Sequence, residues 1–476
     1  MALAAYASLF QGCRPIWEPD EGRYTAVAVQ MLESGDWIHP RLHPAHPHYS
    51  KPPFTYWALA ASLAVFGRNE WAARMPNALA LAALIAIAAR LGRRFAPRAG
   101  WAAGFAVATM PGPLVAANVV TTDTLLAAWE ALGALGFVTA WWAGDERQRR
   151  RGAFLMWTAF GMAFLTKGPP GLLPLLAFAV FALLERRWQG LAAFRSAAGL
   201  AAFAVLAFGW FAVVIAQEPV LLRYFLFNEF VERIASGVHR RNPEWYGPFK
   251  AYLPGLLLGS LPWTLPAMKG LGRGLADLRR RSPGAAAEDR LLALWVGVPL
   301  VVLSLAKSRL PLYVLPLFLP LALLAVRRLP FPESPRLRGA RMWTAAALAL
   351  ATLGLRAVPW HPAPHRDALR ASREIAELAG AVPAEVLFVD TRPWYGLSFY
   401  MGTQVDRARL HPVRLPDGRD EALARHLERA IRGPRLVAGW PQLLDEIREQ
   451  ARSRGYAVEP LGIIDGLLFC RLGGER

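Results

Sequence analysis

Trp17-Glu18-Pro19-Asp20-Glu21-Gly22-Arg23-Tyr24, Gly35-Asp36-Trp37 and Tyr49-Ser50-Lys51-Pro52-Pro53-Phe54 share one polar stretch of an otherwise apolar chain. Acids, bases and aromatic residues crowd there between one apolar segment and the next. Ionisable groups kept at a membrane surface are costly to leave unsolvated and mark working sites. This stretch therefore organises the reading of everything around it.

The chain has 476 residues, of which 54% are hydrophobic and only 19% charged, too apolar for an ordinary soluble domain of this size. The net charge of +19 could suggest a nucleic-acid partner. The arginines, however, cluster between apolar runs rather than along one face, as cytoplasmic loops require, and nucleic acid is set aside. Cys13 and Cys470 are the only cysteines, too few for a disulfide framework or a cysteine metal site. No signal peptide with a small-residue cleavage site is apparent, and the short run from Ala2 to Phe10 reads as the tail of a truncated first helix.

Hydropathy places spans near Ala72–Leu91, Trp101–Ala117, Leu125–Trp142, Phe154–Leu165, Leu172–Leu184, Ala197–Ala216, Ala251–Leu271, Leu291–Leu305, Leu310–Val326 and Trp343–Val358. With the initial stub that makes about eleven helices, with proline-containing runs such as Leu310–Pro320 as candidates for broken ones. The connecting segments are of two kinds. Basic ones carry Arg90, Arg93, Arg94 and Arg98; Arg147, Arg149, Arg150 and Arg151; Arg186 and Arg187; Arg279, Arg280 and Arg281; and Arg327, Arg328, Arg336 and Arg338. The positive-inside rule puts these in the cytoplasm. The alternate segments are then external: residues 20–51, Thr121-Thr122-Asp123, Thr166-Lys167-Gly168-Pro169, residues 218–250, and Lys307-Ser308-Arg309. Polar segments far apart in sequence thus converge on one membrane face.

The expected fold is an α-helical multi-pass membrane protein with a soluble α/β domain at its C-terminus. Residues 1–358 form the membrane domain, with a first external loop at 14–56, and residues 359–476 the external α/β domain. In the latter, Arg366–Leu378 and Asp420–Ile431 read as amphipathic helices, and Glu385–Asp390, Leu436–Trp440 and Leu467–Leu472 as short strands.

Asp20 and Glu21 are the sharpest pair. An external carboxylate beside a membrane cleft can serve as general base on an acceptor hydroxyl, or stabilise cationic character at an anomeric carbon. The bland alternative is a solvated acid or a helix cap ahead of Gly22–Leu32. Asp123, at the start of another span, has the same two readings. Arg23, Lys51, Lys167, Arg233, Lys307 and Arg309 supply positive charge on the same face. Arg forks and Lys point charges suit a lipid phosphate, although any one of them could simply snorkel to headgroups. Tyr313 could add a neutral hydrogen bond or be an interfacial aromatic. His39, His43, His46 and His48 crowd one loop, but Pro44 and Pro47 force an extended path and no fixed ligand spacing is present. No metal or other cofactor is expected; a divalent ion is conceivable but unsupported.

Several stretches together resemble the bacterial aminoarabinose transferase and protein O-mannosyltransferase branch of the C-type glycosyltransferases. They are Glu18-Pro19-Asp20-Glu21-Gly22-Arg23-Tyr24, Met31-Leu32-Glu33-Ser34-Gly35-Asp36-Trp37, Lys51-Pro52-Pro53-Phe54-Thr55-Tyr56-Trp57, Phe66-Gly67, Ala73-Arg74-Met75-Pro76, Phe164-Leu165-Thr166-Lys167-Gly168-Pro169 and Lys307-Ser308-Arg309-Leu310-Pro311-Leu312-Tyr313-Val314-Leu315-Pro316. The resemblance implies an inner-membrane enzyme that takes a sugar from a polyprenyl phosphate, undecaprenyl in a bacterium, and hands it to a lipid A-like or protein acceptor at the external face. By the same resemblance Asp20 is the catalytic carboxylate with Glu21 beside it, Asp123 is a second acid at the rim, and Lys51, Arg233 and Tyr313 hold the lipid phosphate. Ser50 stands where relatives often carry an acid, and the His-Pro loop is a further departure. The rival reading, a transporter or lipid flippase, would place ionisable groups near the middle of the membrane and often show repeated halves; only Glu130, inside the span Leu125–Trp142, favours it.

Overall fold

The computed structural model describes residues 1–97, 100–186, 191–226, 242–280, 287–327, 344, 347–354, 356–357, 364–411, 422–429, 431 and 433–474. It is mostly helical, with one larger sheet near the C-terminus.

Apolar composition makes the helices and capping residues start them. Asn69, Thr121, Asp145 and Ser196 each accept a backbone N–H from the first turn of the helices Glu70–Phe95, Thr122–Trp141, Glu146–Lys167 and Ala197–Gln217, respectively. Three of these, Glu70–Phe95, Thr122–Trp141 and Ala197–Gln217, are long and apolar enough to cross a membrane among the described residues, by length and composition. A fourth candidate is a pair, Gly100–Thr109 and Pro111–Ala117, bent by 60° at Met110. The run expected as one span from Trp101 to Ala117 is therefore broken, because Pro111 cannot continue the preceding hydrogen-bond ladder and starts a new helix instead. The run from Ala251 to Leu271 also divides, into Gly247–Gly259 and Thr264–Arg280, with Pro262 between them. Phe54–Phe66 is an apolar helix that adjoins the polar loop. Most of the expected span Trp343–Val358 is described only in part; within it, Arg356 donates to the carbonyls of Tyr6 and Ala7 in the first helix, Ala2–Ser8.

Small residues let the helices close on one another. A Cβ on Gly152 would lie 2.6 Å from the Ala140 nitrogen, so Thr122–Trp141 and Glu146–Lys167 pack backbone to backbone. Stacked rings fill the space beyond: Phe137 lies 4.5 Å from Phe178, whose edge meets Trp295.

The two ends of the bundle differ in chemistry. At one end Arg327 donates to Asp289 at 2.5 Å and to the Phe95 carbonyl, Arg290 pairs with Glu185, and Arg94 meets Glu288 and the face of Trp142. These are segments of the basic class. The opposite end gathers Glu21, Arg74, Asp123, Lys167 and Tyr313.

The C-terminal sheet has strand order β4-β3-β5-β7-β6, where β3 is Glu385–Val389, β4 Gln404–Ala408, β5 Arg435–Gly439, β6 Tyr456–Ile464 and β7 Leu467–Gly474. β3 pairs in parallel with β4 and β5, whereas β7 is antiparallel to β5 and β6. Strand β3, flanked by β4 and β5, is buried throughout, which fits its unbroken apolar run after Glu385. Asp465-Gly466, both with positive φ, closes the β6–β7 hairpin in the manner that favours an Asp-Gly turn. Helices Ala368–Ala379 and Leu444–Arg452 pack on the sheet. The expected helix Asp420–Ile431 is described only as Leu423–Leu427. The expected domain boundary at 358/359 lies outside the described residues.

Candidate active site

Helix Asp20–Ser34 begins at the expected catalytic residue. Asp20 keeps 45% of its side chain exposed, and Arg23, one turn on, donates to Oδ1 at 2.8 Å. That leaves a carboxylate reachable from outside and oriented by a cation on its own helix. The guanidinium of Arg23 also lies over the ring of Tyr24, its Cζ 5.4 Å from the centroid. Arg23, expected to touch a phosphate, is thus placed first as the partner of Asp20.

Glu21 corrects the expectation. One residue further round the helix it points inward, its side chain 1% exposed, and accepts six N–H donors. Arg14 binds both oxygens at 2.6 and 2.9 Å, Arg74 both at 3.1 Å, and the backbone nitrogens of Trp17 and Val120 one each at 2.9 Å. Burial alone would raise its pKa, but Arg74 and Arg14 overcome that and hold it at about 2. A carboxylate so saturated has no lone pair to offer a substrate. Glu21 is an anchor for the helix, not a second catalytic acid. Arg74, fully buried, also donates to the carbonyls of Gln11, Arg14 and Pro15, which ties the segment ahead of Asp20 to helix Glu70–Phe95.

A second cluster lies nearby. Lys167, the last residue of its helix, donates to Asp123 Oδ1; both side chains are 8% exposed. Its ammonium sits 4.3 Å from the centre of the Tyr313 ring. Asp123 is not the cap of its helix, since Thr121 fills that place. Tyr24 links the two clusters, lying within electrostatic range of Asp20, Arg23, Asp123 and Lys167, and its ring is 5.6 Å from that of Tyr56. Glu130, the feature that favoured a transporter, is buried on the helix of Asp123, seven residues further along.

The other expected cations divide. Lys51 is half-buried just before Pro52-Pro53 and the helix Phe54–Phe66, and Lys307 is exposed beyond Leu305. Arg309 is buried with its guanidinium on the carbonyls of Asn242, Glu244 and Ser304 at 2.7–2.9 Å, so it braces the loop rather than presenting donors to a ligand. Arg233 lies outside the described residues.

The histidine loop does not converge. His39 bridges Asp36 and, at 2.5 Å, Gln217; His43 lies 3.5 Å from both Glu385 and Asp406; His48 meets Ser50 at 2.6 Å. Among the described residues no group of three or more His, Cys, Asp or Glu side chains is arranged to hold a metal ion.

Sequence reasoning assigned no role to Arg14, Arg74, Glu18 or Tyr24. Arg74 carried a signal of its own: a lone guanidinium inside an apolar helix demands a buried partner. Glu18 is also buried, and burial pushes its carboxyl up to about 8 despite the N–H groups of Gly396 and Tyr395 that it accepts.

Residues 50–215 match the family of dolichyl-phosphate-mannose-protein mannosyltransferases. An undecaprenyl phosphate-alpha-4-amino-4-deoxy-L-arabinose arabinosyl transferase of Pseudomonas aeruginosa is 34% identical over 348 residues, covering 71% of this chain and 61% of that protein. The chain belongs to the C-type glycosyltransferases of this branch. It spans about 61% of the length of those relatives. The fold of this chain agrees with the crystal structure of ArnT from Cupriavidus metallidurans bound to undecaprenyl phosphate, with TM-score 0.77 at 21% identity over 99% of this chain and 96% of that one. The apo form of the same protein gives TM-score 0.73 at 20% identity, again over 99% and 96%.

Proposed function

We propose that the chain is a membrane glycosyltransferase that moves a sugar from a polyprenyl-phosphate donor, undecaprenyl in kind, to a lipid A-like or protein acceptor at the external membrane face. The observation that carries the reading is the placement, at one end of the helical bundle, of a reachable Asp20 together with Lys167, which Asp123 pairs and the Tyr313 ring faces. The activity of the Pseudomonas relative supports it.

In the proposed step an acceptor oxygen attacks the anomeric carbon of the donor sugar. The bond from that carbon to the phosphate oxygen breaks, and the electron pair leaves with the lipid phosphate. Asp20 takes the acceptor's proton when the acceptor is a hydroxyl, and Arg23 holds it in line. Lys51, Lys167 and Lys307 offset the charge of the departing phosphate and Tyr313 donates a neutral hydrogen bond to it, making it a better leaving group. Side chains supply all the positive charge this step draws on, with no metal assigned. A single displacement inverts the anomeric configuration. Removing the acid at position 20 while keeping its shape is the direct test, and its expected outcome opens the Discussion.

Two expectations refine the reading. If Lys51 touches the donor phosphate, Lys51→Ala should raise the donor KM about tenfold or more, since a charge-assisted contact is worth about 1.5–3 kcal/mol. Tyr313→Phe should cost less. Initial rates against donor concentration at saturating acceptor decide it; an unchanged donor dependence with an altered acceptor dependence moves Lys51 to the acceptor side.

We also propose about eleven passages through the inner membrane, with the site end and the α/β domain of residues 359–476 on the periplasmic side. Single cysteines at Asp36 and Glu244, with Cys13 and Cys470 replaced by serine, should then react with an impermeant maleimide on intact spheroplasts, and one at Arg149 should not. Protection at 244 or labelling at 149 overturns the orientation.

A further inference from the structure

Glu18 takes no part in the transfer step, yet its carboxyl occupies an unusual place. It is buried between the catalytic helix and the C-terminal α/β region. Oε1 accepts the backbone N–H of Gly396, at the start of helix Gly396–Met401, while Oε2 is buried without a hydrogen-bond partner among the described residues. Two glycines make the room. A Cβ on Gly22 would lie 2.5 and 2.6 Å from the two Glu18 oxygens and 2.6 Å from the Gly396 nitrogen; a Cβ on Gly396 would lie 2.7 Å from Oε1. The carboxyl is therefore wedged between residues 22 and 396, with no space for any larger contact.

The backbone on either side is bound to the same region. Glu18 N donates to the Arg366 carbonyl at 2.9 Å, and Ala368 N to the Ile16 carbonyl at 3.2 Å. Ile16 N donates to the Tyr400 hydroxyl at 2.9 Å, which in turn donates to Glu70 at 2.9 Å. Asp20 lies midway between Glu18 and Gly22 in the chain, and both of those residues press against Gly396.

We propose that Glu18 is a positioning residue: with Gly22 and Gly396 it forms a latch through which the C-terminal α/β region holds the Asp20 carboxylate in register with the Asp123–Lys167–Tyr313 cluster. An apolar side chain could fill the gap, but it could not accept the N–H groups of residues 395 and 396, which set both the distance and the direction of the contact. The assignment deepens the transferase reading and rests on Asp20 being the base.

The test uses the full chain in nanodiscs, with undecaprenyl phosphate-4-amino-4-deoxy-L-arabinose as donor and lipid A as acceptor. Glu18→Ala and Gly396→Ala should lower kcat about tenfold to a hundredfold, because small misplacements of a reacting group are that costly, with the donor KM within about twofold of the parent. Glu18→Gln keeps an acceptor oxygen in the same place and should restore most of kcat. Hydrogen–deuterium exchange of residues 14–24, which needs no turnover, should quicken in Glu18→Ala and Gly396→Ala and stay slow in Glu18→Gln. Unchanged exchange in both alanine variants overturns the latch, as does a kcat per folded molecule equal to the parent's, or an equal loss in Glu18→Gln and Glu18→Ala. If the parent transfers no sugar from this donor to lipid A, that donor–acceptor pair is ruled out, and the exchange experiment still decides whether the latch holds the loop.

Discussion

Asp20→Asn should abolish sugar transfer almost completely while leaving the protein folded in the membrane. The carboxylate is half exposed, its close partner among the described residues is Arg23 on the same helix, and the amide keeps an oxygen for that guanidinium, so it should fit without disturbing the packing. What disappears is the ability to take a proton from the acceptor. General-base contributions are about a hundredfold to ten-thousandfold. Transfer from donor to acceptor, measured at saturating concentrations of both, should fall by at least about two orders of magnitude with an unchanged melting temperature. A variant within a few-fold of the parent removes Asp20 from the role of base. If the acceptor is a phosphate, already charged, the loss should be smaller than for a hydroxyl acceptor, and that contrast itself distinguishes acceptor classes.

The neighbouring acid should behave in the opposite way. Glu21→Ala leaves Arg14 and Arg74 buried side by side without the charge that balances them. Breaking one partner out of such a buried network costs about 3–5 kcal/mol, comparable with a large share of the stability of many proteins. The expected result is a sharp fall in melting temperature in detergent and poor recovery of folded protein, with activity lost only in proportion. The parent should show a matching acid limb. The folded-state pKa of Glu21, about 2, lies below its ordinary 4.5, so the stability it lends is complete above the ordinary value and drains away as pH drops toward 2. A melting temperature unchanged in Glu21→Ala would mean that the anchoring role is wrong.

These two acids show where sequence was a sufficient guide and where it was not. Asp20, Asp123, Lys167 and Tyr313 were legible because polar residues at the ends of apolar runs must collect at the ends of a helical bundle. Which way each one faces was not. Adjacent residues on a helix point about 100° apart, so Asp20 and Glu21 could not both face the same cavity, and only the position of Arg74 in space settles which turns inward. Arg309 was misjudged for a related reason: the carbonyls that occupy it come from residues 242 and 244, more than sixty positions away. The fold was readable as a set of apolar segments, but not at Pro111 and Pro262, where a helix restarts with no loss of apolar character. In the C-terminal region the buried strands β3, β5 and β7 announced themselves by apolar runs. β6 did not, since its mostly exposed face carries Glu459 and Pro460 and it is defined by its pairing with β7.

The supports of the site also fall into two sets. Arg14, Arg74 and Val120 hold the helix that bears Asp20, whereas the hairpin of β1 (Arg41–His43) and β2 (His46–Pro47) is steadied by Asp406 and Glu385, and the turn before it by Gln217. Changes within residues 36–48 therefore meet other polar partners than the arginines that hold the acid. Under the proposed function, a lineage built this way could redraw one small ribbon to try new acceptors while the arginine-held helix is inherited intact.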